Sequence, residues 1–328
     1  MSFYRGKKVL VTGGTGLIGR PLVEMLIEQG ADVTVVSLDN PPRPLKGCDF
    51  FKLDLREMQH CVMACEGQDI VFQLAGIKGS PVATATKPAS FFVPTLQFST
   101  NMMEAARLAE VEWYLNTSSI GVYGPAEVFY EDAVWEDKPS THDKFAGWAK
   151  RIGEMQAEAY KIEHGWDRCS IVRPANVYGP WDSFSDESAM VIPSLIKRVC
   201  NGEKPLKAWG DGSPIRDFIY ARDVARGMMM VVEQGITEPV NLGSGVGVTI
   251  KDLAETIACL AGTTVEWDTS RPNGDKKRLM DMTRASRLGF KCEMSLRDGL
   301  KQTLDWYLTH KGSSGRYDVF KPSAQVAS

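Results

Sequence analysis

The chain is poor in the residues that build metal and redox centres. Its 328 residues include only four histidines, at 60, 142, 164 and 310, too dispersed in sequence to suggest a ligand set. The seven cysteines (48, 61, 65, 169, 200, 259 and 292) form no Cys-x-x-Cys pair. Neither a metal site nor a disulfide framework is expected, and the cysteines read as reduced core residues. Lys+Arg (38) and Asp+Glu (41) nearly balance, and the basic residues are scattered, so nucleic acid is not an expected partner. No apolar run approaches the ~20 residues that a membrane span needs. The start, Met1-Ser-Phe-Tyr-Arg-Gly-Lys-Lys8, leads into a strand with no signal-peptide core, which reads as a cytoplasmic protein. Repeats and low-complexity tracts are lacking too, and the tail from Lys311 reads as frayed.

What the chain does have is an apolar run that stops at glycines: Val9-Leu-Val-Thr-Gly-Gly-Thr-Gly-Leu-Ile-Gly19, followed by an amphipathic helix over 17–29. This pattern predicts strand, tight turn and helix, the form of a dinucleotide-binding loop. Gly13 allows the turn, Gly16 lets the backbone approach a pyrophosphate, and Gly19 lets the helix pack on the strand. Leu17 and Ile18 open the helix, whose first N–H groups face the anion.

With 43% hydrophobic residues the chain can bury a large core. Strand-like runs at 33–36, 50–53, 70–74, 113–117 and 169–172 alternate with helical stretches near 17–29, 56–65, 94–110 and 145–163. This alternation predicts an α/β fold, a Rossmann-type doubly wound parallel sheet covered on both faces. Residues 1–180 form the expected NAD(P)-binding unit. Residues 181–328, with helices near 190–200, 222–233, 250–261 and 295–309, form a smaller α/β substrate-binding region with some segments returning to the sheet.

Ligands of such sheets bind beyond the carboxyl ends of the strands. The candidates there are Ser37, Asp39, Asp54, Leu55, Leu74, Ala75, Gly76, Lys78, Thr117, Ser118, Ser119, Pro174, Asn176 and Val177. Asp39 lies twenty residues after Gly19, where a carboxylate accepts from a ribose 2′-hydroxyl and repels a 2′-phosphate, favouring NAD. Ser37 with Arg43 suits a phosphate instead, so NADP is the alternative. Asp54 either meets the adenine or caps the next helix.

These motifs resemble the extended short-chain dehydrogenase/reductase family, the NAD(P)-dependent nucleotide-sugar epimerases, dehydratases and reductases. The likeness runs nearly end to end: the glycine loop, Gln73-Leu-Ala-Gly76, Ser118-Ser-Ile-Gly-Val-Tyr-Gly124, Arg173-Pro-Ala-Asn-Val-Tyr-Gly-Pro180, Gly210-Asp-Gly-Ser-Pro-Ile-Arg-Asp-Phe-Ile-Tyr220 and Asn241-Leu-Gly-Ser-Gly245. It implies hydride exchange between nicotinamide and a sugar carbon, with a Tyr-x-x-x-Lys pair and a serine, here Ser119, moving the hydroxyl proton. Lys150 stands where the family has its lysine and contacts the nicotinamide ribose. Ala146 stands where the tyrosine belongs. Either a disabling replacement has been made, or another acid, such as a water held by Ser119 and Lys150, serves instead.

The resemblance also implies substrate contacts. Arg216 and Arg278 match the arginines that clamp the diphosphate, Asn176 matches an asparagine on the same group, and Val191 lies in a matching helix over 191–198. Lys78 is a further candidate, while Lys207 and Trp209 are candidates for the base, with Trp209 equally readable as core. Dehydrating and decarboxylating members carry acids at positions that here are Ile120 and Gly121. Reductases that form GDP-fucose use a cysteine and a histidine that fall on Gly121 and Met190. Chemistry at one carbinol remains: 4-epimerisation of a UDP- or GDP-hexose with bound NAD, or NAD(P)H-dependent 4-keto reduction. A non-catalytic NAD-binding protein is the rival from another class. A homodimer is expected through the helices near 94–110 and 145–163, using Met102, Met103, Ala106, Met155 and Ala159.

Overall fold

The computed structural model describes residues 2–40, 45–77, 79, 81–186, 188–270 and 275–311. The strands are β1 (Lys8–Thr12), β2 (Asp32–Val36), β3 (Asp49–Phe51), β4 (Ile70–Gln73), β5 (Trp113–Thr117), β6 (Val128–Phe129), β7 (Cys169–Pro174), β8 (Asn176–Tyr178), β9 (Leu206–Trp209), β10 (Ile215–Tyr220), β11 (Val240–Leu242), β12 (Gly247–Thr249), β13 (Val265–Asp268) and β14 (Lys277–Met280). The helices are α1 (Gly19–Glu28), α2 (Met58–Cys65), α3 (Pro81–Thr86), α4 (Pro88–Leu108), α5 (Lys144–His164), α6 (Val191–Cys200), α7 (Ala221–Glu233), α8 (Ile250–Leu260), α9 (Thr283–Arg287) and α10 (Leu296–His310).

Seven strands form a parallel sheet in the order β11-β7-β5-β4-β1-β2-β3. The order reverses between β1 and β4, which opens a crevice at their carboxyl ends. The strands are apolar at successive positions because both faces are covered. Val9 and Val11 join the core under α1, while Leu10, between them, joins the core under α2 and α4.

Segments beyond residue 180 divide their allegiance. β11 extends the large sheet beside β7, with Val240 opposite Val172, and α7 packs against α1. β12, β10, β14 and β6 form a second sheet with β8 paired to β10, β9 pairs with β13, and a separate core gathers α6, α8 and α10 around Ile196, Leu253 and Leu300.

Three expectations are corrected. Met102, Met103 and Ala106 are fully buried inside the subunit, because α4 turns them onto the sheet, so they supply no outer face for a dimer. Met155 and Ala159 are exposed, as expected. Cys259 is exposed rather than core, although the cysteines are free thiols. α4 begins at Pro88, six residues before Pro94, because proline is tolerated in the first turn and the helix runs on through the second proline. Among the described residues no helix is long and apolar enough to cross a membrane. The tail after Lys311 lies outside the described residues.

Candidate active site

The glycine loop is shaped by contacts of its own backbone. Gly13 has a φ of +65°, and its N–H donates to Val36 O at 2.8 Å, tying β1 to β2. A Cβ at Gly19 would sit 2.3 Å from Gly13 O, and one at Gly14 would sit 2.7 Å from Val35 Cγ1, so both glycines serve packing. A Cβ at Gly16 would meet only Gly13 O, at 3.2 Å; this glycine borders open space. α1 has no side-chain cap and no acid in its first turn, while Arg20 N already donates to Gly16 O at 3.0 Å and Pro21 has no N–H, which leaves an anion to the backbone at the turn before them. Arg20 adds positive charge there, with its guanidinium 4.2 Å above the Trp181 ring. The loop therefore fits a dinucleotide pyrophosphate. In the sequence Gly14 carries no mark of its packing role, and Arg20 is marked only as a basic residue directly after the last motif glycine.

The end of β2 is drawn to this loop. Thr15 Oγ1 donates to Asp39 Oδ2 at 2.6 Å and lies 2.9 Å from Ser37 Oγ, which also accepts from Asp39 N at 3.1 Å. Asp39 thus stands beside the loop at the distal side of the crevice, as a ribose-binding carboxylate requires. Arg43 and Lys78 lie outside the described residues. Asp54 does not cap α2, whose N-cap is Glu57; its carboxylate accepts from Arg56 N and Nε. Burial pushes the Asp54 pKa up, but the hydrogen bonds from Arg56 outweigh it and hold the carboxyl below its ordinary value. Leu55 is buried beside it. Thr12, not singled out in the sequence, accepts from Leu74 N at 3.1 Å and Ala75 N at 3.0 Å, fixing the turn that leads to Gly76.

The centre of the site is the contact between α5 and the segment 117–121. Lys150 Nζ donates to Thr117 O at 2.8 Å. Thr117 Oγ1 is buried with no hydrogen-bond partner among the described residues. Burial pushes the Lys150 ammonium down to about 8, against the pull of Glu154 one turn further along. A Cβ at Gly147 would lie 2.2 Å from Gly121 O, so only glycine lets the helix approach this closely. Ser119 is half-buried and accepts from Gly121 N at 3.1 Å. Ala146 is half-buried on the same helix and brings no proton-bearing group.

Several motif residues prove to be scaffold. Arg173 is 1% exposed; it donates to Glu154 Oε1 at 3.0 Å, Glu154 Oε2 at 2.6 Å and Tyr123 OH at 3.0 Å. Tyr123 in turn donates to Asn241 Oδ1 at 2.7 Å. Burial pushes the Tyr123 phenol up to about 12, although Arg173 pulls the other way. This phenol is committed to the network. Pro174 is buried at the end of β7, and Val177 is half-buried in β8 opposite Ile219.

On the substrate side, β10 and β14 run parallel with Arg216 opposite Arg278. Burial, and then the neighbouring Arg278, lower the Arg216 pKa, as expected where two cations converge on a place for an anion. Arg216 Nη1 donates to Asp275 O at 2.7 Å, and Arg278 Nη2 donates to Asp143 Oδ2 at 2.8 Å. Asn176 uses one N–H on Asp217 O at 2.8 Å, leaving the second of its amide N–H groups. Val191 opens α6 and is half-buried. Trp209 is 71% exposed, which overturns the core reading: β9 alternates, and Trp209 and Lys207 share its outer face while Leu206 and Ala208 point inward.

Residues 9–243 match the profile of the NAD dependent epimerase/dehydratase family. The chain is 33% identical over 316 residues to GDP-L-fucose synthase 1 of Arabidopsis thaliana, covering 93% of this chain and 94% of that protein. Among solved structures, an epimerase from Methanothermobacter thermautotrophicus superposes with a TM-score of 0.84 at 27% identity, covering 94% of each chain. UDP-glucose 4-epimerase from Thermotoga maritima, solved with UDP-glucose, gives 0.80 at 26% identity over 92% of this chain and 99% of its own. With its glycine loop, crevice and paired arginines in place, the chain belongs to the NAD dependent epimerase/dehydratase family and is an enzyme of the NAD(P)-using nucleotide-sugar kind.

Proposed function

We propose that the chain acts at a single carbon, C4, of a UDP- or GDP-hexose, as a 4-epimerase that retains NAD. The observation that carries this reading is the pairing of Arg216 with Arg278, two guanidinium forks suited to a diphosphate, in a fold whose crevice fits a dinucleotide. NAD, when bound, supplies a reversible hydride acceptor. The chain's own residues hold and orient: the glycine loop and Asp39 grip the dinucleotide, Lys150 its nicotinamide ribose, and Ser119 the sugar hydroxyl. Asp39 beside the loop favours NAD over NADP, which suits an enzyme that regenerates its cofactor in each turnover.

Likeness to GDP-L-fucose synthase 1 favours a second reading, 4-keto reduction that consumes NAD(P)H. A panel of UDP- and GDP-hexoses and their 4-keto forms, with and without added NAD(P)H, separates the two. Conversion without added cofactor supports the epimerase. Stoichiometric NAD(P)H consumption supports the reductase, and no turnover in any form, Ala146→Tyr included, leaves a cofactor-binding protein. The working unit we propose is a homodimer built on α4 and α5, whose exposed large apolar side chains are Val93, Leu108, Phe145, Met155 and Ile162.

A further inference from the structure

Position 146 holds no group able to move a proton, yet a carboxylate stands one helical turn before it. Asp143 occupies the N-cap of α5, three residues before Ala146 and seven before Lys150, and so lies on the helical face that the two share. That face is pressed against the segment bearing Ser119. A Cβ built on Gly121 would lie 3.4 Å from Asp143 Cβ and Cγ and 3.5 Å from Oδ1. These are ordinary van der Waals distances, so the carboxyl group packs directly against the backbone of the segment that bears Ser119.

Asp143 is also tied to the anion clamp. Its Oδ2 accepts from Arg278 Nη2 at 2.8 Å and from Ser140 Oγ at 3.2 Å. Its side chain is 31% exposed, and the neighbouring Ser140 and Arg278 line a cleft of about 240 Å³ together with Gly124, Glu127 and Phe129. A diphosphate entering this cleft has a stronger claim on Arg278 than a single carboxylate, because it offers more charge and more oxygens to the guanidinium fork.

Resting on the C4 oxidoreductase reading above, we propose that Asp143 is the proton-transfer residue of this chain, performing the task of a phenol at 146. We further propose that the incoming diphosphate releases Asp143 by taking over Arg278. In the oxidising direction, a carboxylate oxygen of Asp143 takes the proton of the C4 hydroxyl. A bound nicotinamide would supply the hydride acceptor, so that the C4–H electron pair would leave to it as hydride while the C4–O bond becomes a carbonyl. In the reducing direction the same proton returns to the oxygen as hydride returns to carbon.

The test combines binding and turnover. In cofactor-free protein, Asp143→Asn removes a competitor for Arg278, so inorganic pyrophosphate and UDP should bind several-fold tighter by calorimetry. In the presence of NAD(H), the same variant should lose ~10²–10⁴-fold in kcat with little change in KM, the share that general acid–base catalysis supplies. Asp143→Glu, which keeps a carboxyl group, should lose less, and adding Ala146→Tyr to Asp143→Asn should restore turnover at least tenfold. Unchanged turnover in Asp143→Asn overturns the proposal, as does weaker pyrophosphate binding with a loss confined to KM and no rescue by tyrosine. If no form, including Ala146→Tyr alone, converts any nucleotide sugar, the oxidoreductase reading itself falls and this proposal with it.

Discussion

Arg216 and Arg278 stand opposite each other on adjacent parallel strands, although 62 residues separate them in the chain. Two guanidinium groups brought together this way repel unless an anion joins them. Arg216→Met and Arg278→Met should each weaken UDP binding by roughly 10–100-fold, the value of a lost charge-assisted hydrogen bond. Calorimetry at two salt concentrations checks this; the wild type should lose affinity with salt more steeply than either variant.

Asp39, held by Thr15 and placed beside Ser37, should make NADH bind at least about tenfold tighter than NADPH, because a 2′-phosphate would meet a carboxylate. Asp39→Ala should reduce that preference. Fluorescence titration of cofactor-free protein with both nucleotides provides the measurement, and tighter NADPH binding by the wild type would overturn the assignment.

Lys150 carries a pH dependence with a definite sign. Its ordinary pKa of 10.5 falls to about 8 in the folded, cofactor-free protein. Between these values the unfolded chain binds more protons than the folded one, so stability rises with pH across the window. The charged lysine penalises folding below about pH 8, and the penalty is gone above the unfolded value. Relative to Lys150→Met, the wild type should gain about 1–3 kcal/mol between about pH 7 and about pH 10, allowing for solvent screening of a partly exposed group. Urea titrations of both proteins at the two pH values measure it; a difference of opposite sign would contradict the burial effect.

The Glu154–Arg173 pair is buried and bidentate, with 1% and 3% side-chain exposure for arginine and glutamate. Removing one partner strands the other charge. Glu154→Ala should lower stability by about 3–5 kcal/mol, and the double variant Glu154→Ala/Arg173→Met by less than the sum of the single changes. Denaturant midpoints decide this, and additive losses would rule out coupling.

Met155 and Ile162 project from α5 with 50% and 78% exposure. Light scattering should give a dimer for the wild type, and Met155→Glu/Ile162→Glu should give a monomer, since two carboxylates on each copy cannot be buried against one another. A wild-type monomer at micromolar concentration would refute the proposed interface.

The doubly wound sheet and the cofactor loop were legible in the sequence because both rest on local rules. Two-face burial makes β1, β2, β4 and β5 continuous apolar runs, and glycine at 13, 16 and 19 is readable wherever a strand turns into a helix. The paired arginines, Ser119 and Lys150 were legible only through motif likeness. Tertiary structure decided which polar residues were scaffold and which faced the crevice. Tyr123 and Arg173 sit in conspicuous motifs, yet each is consumed by a partner far along the chain, Asn241 and Glu154. Met102 and Met103 carry no local mark of which helix face meets the sheet and which meets solvent. Asp143 looked like any residue before a helix until the fold set it against Gly121 and Arg278, 22 and 135 residues away. Apolar periodicity and turn chemistry are written over a few neighbouring residues, whereas a site's electrostatics depend on charges that only chain folding brings within a few ångströms.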